Sequence, residues 1–471
     1  MGLQLERNEA LAHEAISHVI QKYSPTGKRI GWMMIASIFI EAWDLYSISF
    51  LLIFLKQEFH PSALMLGFTA AGTQAGAVVG ALIGGWLSDR FGRRKIFLST
   101  MVMFIVLGLA QAFAPSMAAL AAIRLLLGIP LGSDLAAGYT YIMESMEAGK
   151  REVMGNRWQA MFGIGEVVSI GVITAMFGLG VAPHLLWRIG LGLGALPALA
   201  LLLLRLDLPE TSIWLIQKGR FREAKAVTLK MYDDPLDMLP DTDVEMDKPK
   251  LTDFLRDIMS DRTKRRATIF SWVASWAQAL EFSTFAFYLP IMFVLVGVSG
   301  IVATNFLSMG IYLIAVVSGL VGPQLLPRIG QRRLSIYGFS IVLVSLLVAA
   351  FAIESKTLWL VPVAAAAMLW GHYWDAENVM TIPSMVAAPR QKGLATGFAY
   401  IHNKLPAFIG IFLFPTFFGS LGQARATLFT AVFPLVGLMA AVFILPEVYG
   451  YVEVRSRRAG LATVDVAEVQ P

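Results

Sequence analysis

The chain has 471 residues, 56% of them hydrophobic and 15% charged, with a net charge of +5 and no cysteine. Soluble domains carry about 25% charged residues, so this balance excludes an ordinary soluble enzyme. The lack of thiols excludes disulfides, thiolate catalysis and cysteine-based metal sites.

Residues 1–29 are polar and of mixed charge, without the apolar core and cleavage site of a removable signal peptide. Beyond them, apolar stretches of roughly 20 residues recur, the length of a membrane-crossing helix. Lipid offers backbone groups no partner, so these stretches are helices rather than open strands. The pattern predicts spans near 30–55, 62–87, 96–114, 117–143, 155–180, 187–204, 267–296, 301–326, 335–353, 358–380, 394–420 and 425–445. The one long loop, 205–266, contains two amphipathic segments, 219–232 and 251–262, suited to lying at the membrane face. The expected architecture is an all-α membrane protein with twelve transmembrane helices in two pseudo-symmetric six-helix bundles. An N-terminal segment (1–29), a first bundle (30–204), a linker (205–266), a second bundle (267–445) and a tail (446–471) follow in order.

Basic residues set the orientation. Arg90, Arg93, Arg94 and Lys95 follow span 2, Lys150 and Arg151 span 4, Arg328, Arg332 and Arg333 span 8, and Arg390 and Lys392 span 10. The opposite loops hold little more than Lys56, Arg188, Lys356 and Arg425. The positive-inside rule then places both termini and every even-to-odd loop in the cytoplasm. The halves also repeat. GGWLSDRFGRR from Gly84 aligns with GPQLLPRIGQR from Gly322 at a shift of 238 residues. Leu208-Pro209-Glu210 aligns with Leu445-Pro446-Glu447 at 237, and Arg151 with Arg390 at 239. Two parallel halves enclosing a midplane site are the architecture such a repeat implies.

Charged residues inside spans cost about 2.5–3.5 kcal/mol on insertion scales and so face partners or a wet cavity. Here they are Glu41, Asp44, Arg124, Asp134, Glu166, Glu281, Asp375, Glu377 and Lys404. At 1.5 Å per residue, Asp44 and Arg124 lie about 16 and 10 Å below the outer face, within bridging reach. Glu41 sits one turn from Asp44, nearer the depth of Asp134. Lys404 is available to neutralise Asp375 or Glu377, or to meet an anionic solute. His372 and His402 read as hydrogen-bonded packing residues. Trp272, Trp276, Phe285, Tyr288, Trp370, Tyr373 and Trp374 are candidate pocket aromatics. Gly72, Gly76, Gly80 and Gly84 form a stripe suited to close helix packing. No phosphate-binding loop, metal-ligand cluster or nucleophile elbow is present, so no enzyme activity, cofactor or metal is expected.

The segment from Gly85 through Asp89, Arg90, Gly92 and Arg94 resembles the loop signature of the major facilitator superfamily. Tyr141-Ile-Met-Glu144 with Arg151, Pro209-Glu210-Thr-Ser-Ile-Trp214, Pro446-Glu447, Trp43-Asp44 and Arg124-x3-Gly128-x3-Gly132 resemble its sugar porters over residues 43–450. The resemblance implies a cytoplasmic gate from Gly85, Asp89, Arg90 and Arg94, with a charge network of Glu144, Arg151, Glu210, Arg390 and Glu447. It implies proton coupling through Asp44 and Arg124, with Glu41 and Asp134 nearby. It aligns Gln159 and Gln278 with sugar-binding glutamines. Glu166 and Ala277 stand where sugar porters have further glutamines, and Gly132-Ser133-Asp134 is closer to phosphate and organic-anion symporters. Gln159, Glu166, Gln278, Glu281, Tyr288, Asp375 and Lys404 are the candidate solute contacts.

The implied function is a proton-coupled symporter for a small polar metabolite, a sugar or organic acid, working by alternating access. It would be a multi-pass, monomeric protein of a bacterial inner membrane, with lipid, solute and protons but no nucleic acid as partners. Two alternatives stay open: an organic cation or amine carrier, including antiport, and a non-transporting sensor on a transporter fold.

Overall fold

A computed structural model describes residues 2–246, 251–295 and 297–451, among which every regular element is helical and no strand occurs. The tail expected after residue 446 lies outside the described residues from 452 onward. The first half contains α1 (Gly27–Phe59), α2 (Ala63–Phe91), α3 (Arg93–Ala112), α4 (Met117–Ser145), α5 (Lys150–Gly178) and α6 (Pro183–Arg205). In the second half α7 (Arg262–Glu281) continues through a π-helical turn, Phe282–Ala286, into Leu289–Leu295. The stretch Ile301–Glu354 is two crossings, α8 (301–329) and α9 (331–354), because Gly330 breaks it at φ 76° and ψ 168°. α10 (Leu360–Val386), α11 (Lys392–Leu421) and α12 (Gln423–Phe443) complete the set of twelve.

Eight of the helical stretches are long and apolar enough to cross a membrane by length and composition alone. α7, α10 and α11 are not among them; α7 and α10 are diluted by residues such as Gln278, Glu281, His372, Asp375 and Glu377. α7 also starts five residues before its predicted span. Asp261 caps it, accepting the Lys264 N–H at 2.7 Å, so the charged Arg262–Arg266 turn is already helical.

Packing within the first half follows the glycine stripe. A Cβ on Gly76 would sit 1.9 Å from the Leu125 carbonyl oxygen of α4, and one on Gly80 2.0 Å from that of Ile129. Only residues without a side chain allow α2 and α4 to approach this closely. Rows of exposed apolar residues, such as Val79, Leu82, Ile83 and Trp86 on α2 and Leu196, Leu199 and Leu203 on α6, suit contact with lipid chains.

The face carrying the basic loops also carries the helices outside the bundles. The linker forms Ser212–Gln217, Phe221–Tyr232 and Leu251–Ser260. Gly2–Val19, which the sequence left without an assigned element, is a helix burying Ala12, Ala15, Ile16 and Val19. It reaches the second half and the linker. Glu9 pairs with Arg390 at 2.9 Å, and His18 and Lys22 both lie 2.8 Å from Asp234 of the linker. Hydrogen bonds, from Lys22 first and then from the Leu236 N–H and His18, hold the Asp234 carboxyl down at about 2.

Candidate functional site

The geometry shared by the two halves is clearest at the basic face. Gly92 ends α2 with φ 104°, and the Glu210 carboxylate accepts the N–H groups of Arg93 and Arg94 at 3.1 and 3.2 Å. In the second half Gly330 turns, and Glu447 accepts the N–H groups of Gln331 and Arg332 at 2.9 and 3.2 Å. Arg94 and Arg332 then each bond a carbonyl at the end of the last helix of their own half, Leu206 and Val442, at 2.7 and 2.6 Å. Each half therefore clamps its own loop. Burial pushes the Glu210 carboxyl above its ordinary range, while Arg93 and the backbone donors pull it down.

Asp89 does something different. It lies 3.0 Å from Arg93 and accepts the N–H groups of Gly393 and Leu394, at the first turn of α11, at 3.2 and 2.9 Å. Negative charge at a helix N-terminus meets unsatisfied N–H groups and the positive end of the helix dipole. This latch joins the two halves, and Gly85 packs beside it against Gly393 and Gly397. Pro327 occupies the equivalent place in the second copy and supplies no carboxylate.

The single charge network expected from Glu144, Arg151, Glu210, Arg390 and Glu447 is not formed. Glu144 is held by Arg93, at 2.7 and 3.1 Å, and by the Thr211 hydroxyl at 2.6 Å. Arg151 instead meets Glu152 and donates to the Tyr451 carbonyl at 2.8 Å, while Arg390 pairs with Glu9. Arg93 lies nearer to Glu144 because the turn at Gly92 aims it inward. Its own Nη1 also satisfies the Ser88 carbonyl at 2.9 Å. Arg90 points outward over the Trp86 and Phe91 rings.

Inside the first half, Arg124 Nη1 lies 3.0 Å from Asp44 Oδ1. The guanidinium also donates to the Thr69 carbonyl at 2.8 Å, to Gln111 at 3.1 Å and to Thr73 at 3.3 Å, and Gln111 in turn donates to Asp44. Asp44 Oδ2 is buried without a hydrogen-bond partner among the described residues. Glu41 and Asp134 do not join this cluster. Asp134 turns away from the other half, to Arg205 of α6 at 3.0 Å and Thr100 of α3 at 3.1 Å. Arg205 is anchored further by the Met33 and Met34 carbonyls and by Ser37.

Glu41 instead reaches across the halves. It bonds Lys404 directly and accepts the Tyr400 hydroxyl at 2.5 Å, both on α11. Lys404 is thus occupied by Glu41 and does not neutralise Asp375 or Glu377. A second crossing is built on Glu166. It accepts the Tyr373 hydroxyl of α10 at 2.6 Å, and its Oε1 is buried without a partner among the described residues. Tyr46 and Tyr312 close over it, their hydroxyls 3.2 Å apart. Gln159 and Gln278 are both buried. The Tyr288 hydroxyl donates to the Ile411 carbonyl at 2.5 Å. Trp272, Trp276 and His402 line a groove between α7, α11 and α12, where His402 stacks on Trp272 at 4.8 Å.

On α10, Asp375 and Glu377 are fully buried, as is Glu281 on α7. His372 Nδ1 lies 2.9 Å from Glu281 Oε1 and 3.7 Å from Asp375 Oδ1. The halves meet at both faces. Asn156 donates to Asn378 at 2.9 Å and Trp158 to the Glu377 carbonyl near the basic face. Ser49 donates to the Phe287 carbonyl and Asn305 to Thr174 near the other. The polar midplane is therefore occluded.

Residues 22–452 match the family described as "Sugar (and other) transporter". A probable metabolite transport protein, CsbC of Bacillus subtilis (strain 168), is 25% identical over 429 residues, covering 87% of this chain and 89% of that protein. A D-xylose transporter of Levilactobacillus brevis is 26% identical over 390 residues, covering 80% and 84%. In fold, the chain is similar to the proton:xylose symporter XylE bound to 6-bromo-6-deoxy-D-glucose, with a TM-score of 0.73 at 19% identity, over 91% of this chain and 98% of that one.

Proposed function

Because this chain belongs to the sugar (and other) transporter family of the major facilitator superfamily, multi-pass membrane transporters rather than enzymes, we propose that it is a proton-coupled symporter of a small polar metabolite. Relatives described as transporters of metabolites, xylose and glucose support a sugar-like solute. The basic loops support an orientation with both termini cytoplasmic, and bacterial relatives, one of them described as an inner membrane transport protein, support a bacterial inner membrane.

The observation that carries the coupling is the buried Asp44–Arg124 pair with its unpartnered Asp44 Oδ2. Removing one partner of a buried pair strands the other charge. Protonation of Asp44 removes one charge of the pair and leaves the buried Arg124 guanidinium to the neutral acceptors Thr69, Thr73 and Gln111, a cost that favours rearrangement. Each proton thereby changes how α1 sits against α4, and α1 also carries Glu41 and Tyr46 to the other half. Glu166, with Gln159 and Gln278, is proposed to meet the solute. The test is uptake into proteoliposomes from a labelled metabolite panel, with and without a pH gradient. Asp44→Asn should lose gradient-driven accumulation yet keep solute exchange, and undiminished accumulation would sink the assignment.

One observation favours a second reading, an amine or organic cation carrier. Glu166, Glu281, Asp375 and Glu377 are all buried, and no lysine or arginine pairs with them among the described residues.

A further inference from the structure

The carboxyl groups of Glu281 and Asp375 come together from α7 and α10 beside His372, with one polar atom of each of the three within 4.8 Å of the others. An ionised carboxylate can only accept. In keeping with that, Glu281 Oε2 and both Asp375 oxygens are buried with no donor among the described residues. His372 stands within reach of both acids, but a neutral imidazole has one N–H to offer and cannot serve the two together.

We propose that Glu281 and Asp375, with His372 beside them, form a second proton-binding site, in the C-terminal half and separate from Asp44. It rests on the proton-coupled reading above but not on Asp44 being the coupling acid. One proton on the pair supplies the missing donor and removes one of two like charges. It is held as O–H on one carboxyl and accepted by the other.

No other donor among the described residues reaches these oxygens. From α10 the pair faces His372, Tyr373 and Glu377. Glu166 of α5, Tyr46 of α1 and Tyr312 of α8 lie beyond Tyr373. α9 presents Gly338 against Asp375, and Lys404 of α11 is held by Glu41. Among the described residues the surrounding groups are therefore acids, phenols and one imidazole, with no paired cation.

The site is also placed to follow the transport cycle. The π-helical turn Phe282–Ala286 begins directly after Glu281, and such turns often mark functional positions in helices. Phe282 stacks on His372 at 4.7 Å and contacts Phe162 and Tyr46 of the other half at 5.9 and 6.4 Å. Parting the halves removes that aromatic cover and admits water, so the proton is retained while the midplane is occluded and exchanged when it opens.

The test is infrared difference spectroscopy of the purified full chain in lipid, across roughly pH 5–9, where exposed carboxyls stay ionised. The wild type should show a protonated-carboxyl band at neutral pH. It should be lost in both Glu281→Gln and Asp375→Asn, because the two acids share one proton. It should be shifted but present in Asp375→Glu, which guards against a variant that has merely misfolded. Asp44→Asn should leave it in place. If the Asp44 reading alone fails, accumulation survives in Asp44→Asn while this band persists. A wild-type spectrum with no such band, or a band indifferent to the Glu281 and Asp375 variants, overturns the second site. Ionised carboxyls at both positions would instead favour the cationic-solute reading.

Discussion

Gly85→Ala should force open the basic face without unfolding either half. The methyl group would sit 2.4 Å from the Gly393 carbonyl oxygen and 3.4 Å from the Gly397 Cα, both on α11. Such overpacking costs about 1–3 kcal/mol. Because α2 and α11 belong to different halves, the strain exists only while this face is closed. It therefore shifts the equilibrium toward the basic-face-open state by roughly 5- to 150-fold, at 1.4 kcal/mol per factor of ten. The chain has no native cysteine, so single cysteines can be labelled without background. Spin labels at Lys95→Cys and Arg333→Cys, exposed positions in opposite halves on the basic face, report the distance between them by pulsed electron resonance. Gly85→Ala should move the population to longer distances. Gly80→Ala is the control, since its clash, 2.0 Å from the Ile129 carbonyl oxygen, lies within one half. It should lower the melting temperature and leave the distance distribution alone. Identical distance distributions for Gly85→Ala and wild type would refute the argument that this contact forms only on closure.

Arg205→Leu leaves Asp134 as an unpaired buried charge and should cost about 3–5 kcal/mol of stability, whereas the double variant with Asp134→Leu should recover much of it, read as melting temperature. Because that pair lies within one half, a changed pH dependence of transport in Asp134→Asn would contradict its structural role. Lys404→Met should slow solute exchange by stranding Glu41 in the occluded state. A double-mutant cycle with Glu41→Gln should give a coupling of about 0.5–3 kcal/mol, and additivity would show that the pair does not matter to occlusion. The Asp234 carboxyl is lowered from 3.8 to about 2, so its hold on the N-terminal helix is present above about pH 4 and fades as pH falls toward 2. Protease protection of residues 2–19 should therefore be unchanged between neutral pH and about pH 5, and early loss of protection would contradict this.

The twelve helices were legible because membrane crossing is a demand on composition, and the repeat because its anchors are rigid turns. The Asp44–Arg124 contact was legible because depth along two helices follows from residue count. What the sequence hid was rotation about each helix axis. Depth alone allowed Asp134 to sit near Glu41, yet rotation sends it to Arg205, the residue at which the sequence reading begins the linker. The same limit let Lys404 be matched to the acids of α10 when Tyr400, one turn away, marks the face that meets Glu41. Arg93 was one of several loop arginines, and only the positive φ of Gly92 decides which of them turns inward. His372 read as a packing residue because its partner Glu281 lies on another helix, 91 positions earlier.

The loop clamps occur twice, but the aspartate latch occurs once. A clamp needs only a glutamate, a glycine able to adopt positive φ and two backbone N–H groups, and its hydrogen bonds among the described residues stay within its own half. The latch touches both bundles and answers to the balance between open and closed. Stiffness of the moving parts and timing of their movement are thus written in separate residues. A copy of this unit can lose its aspartate, as the second has at Pro327, and remain a sound lever. The tightness of closure can then be adjusted around Asp89 alone, without softening either arm.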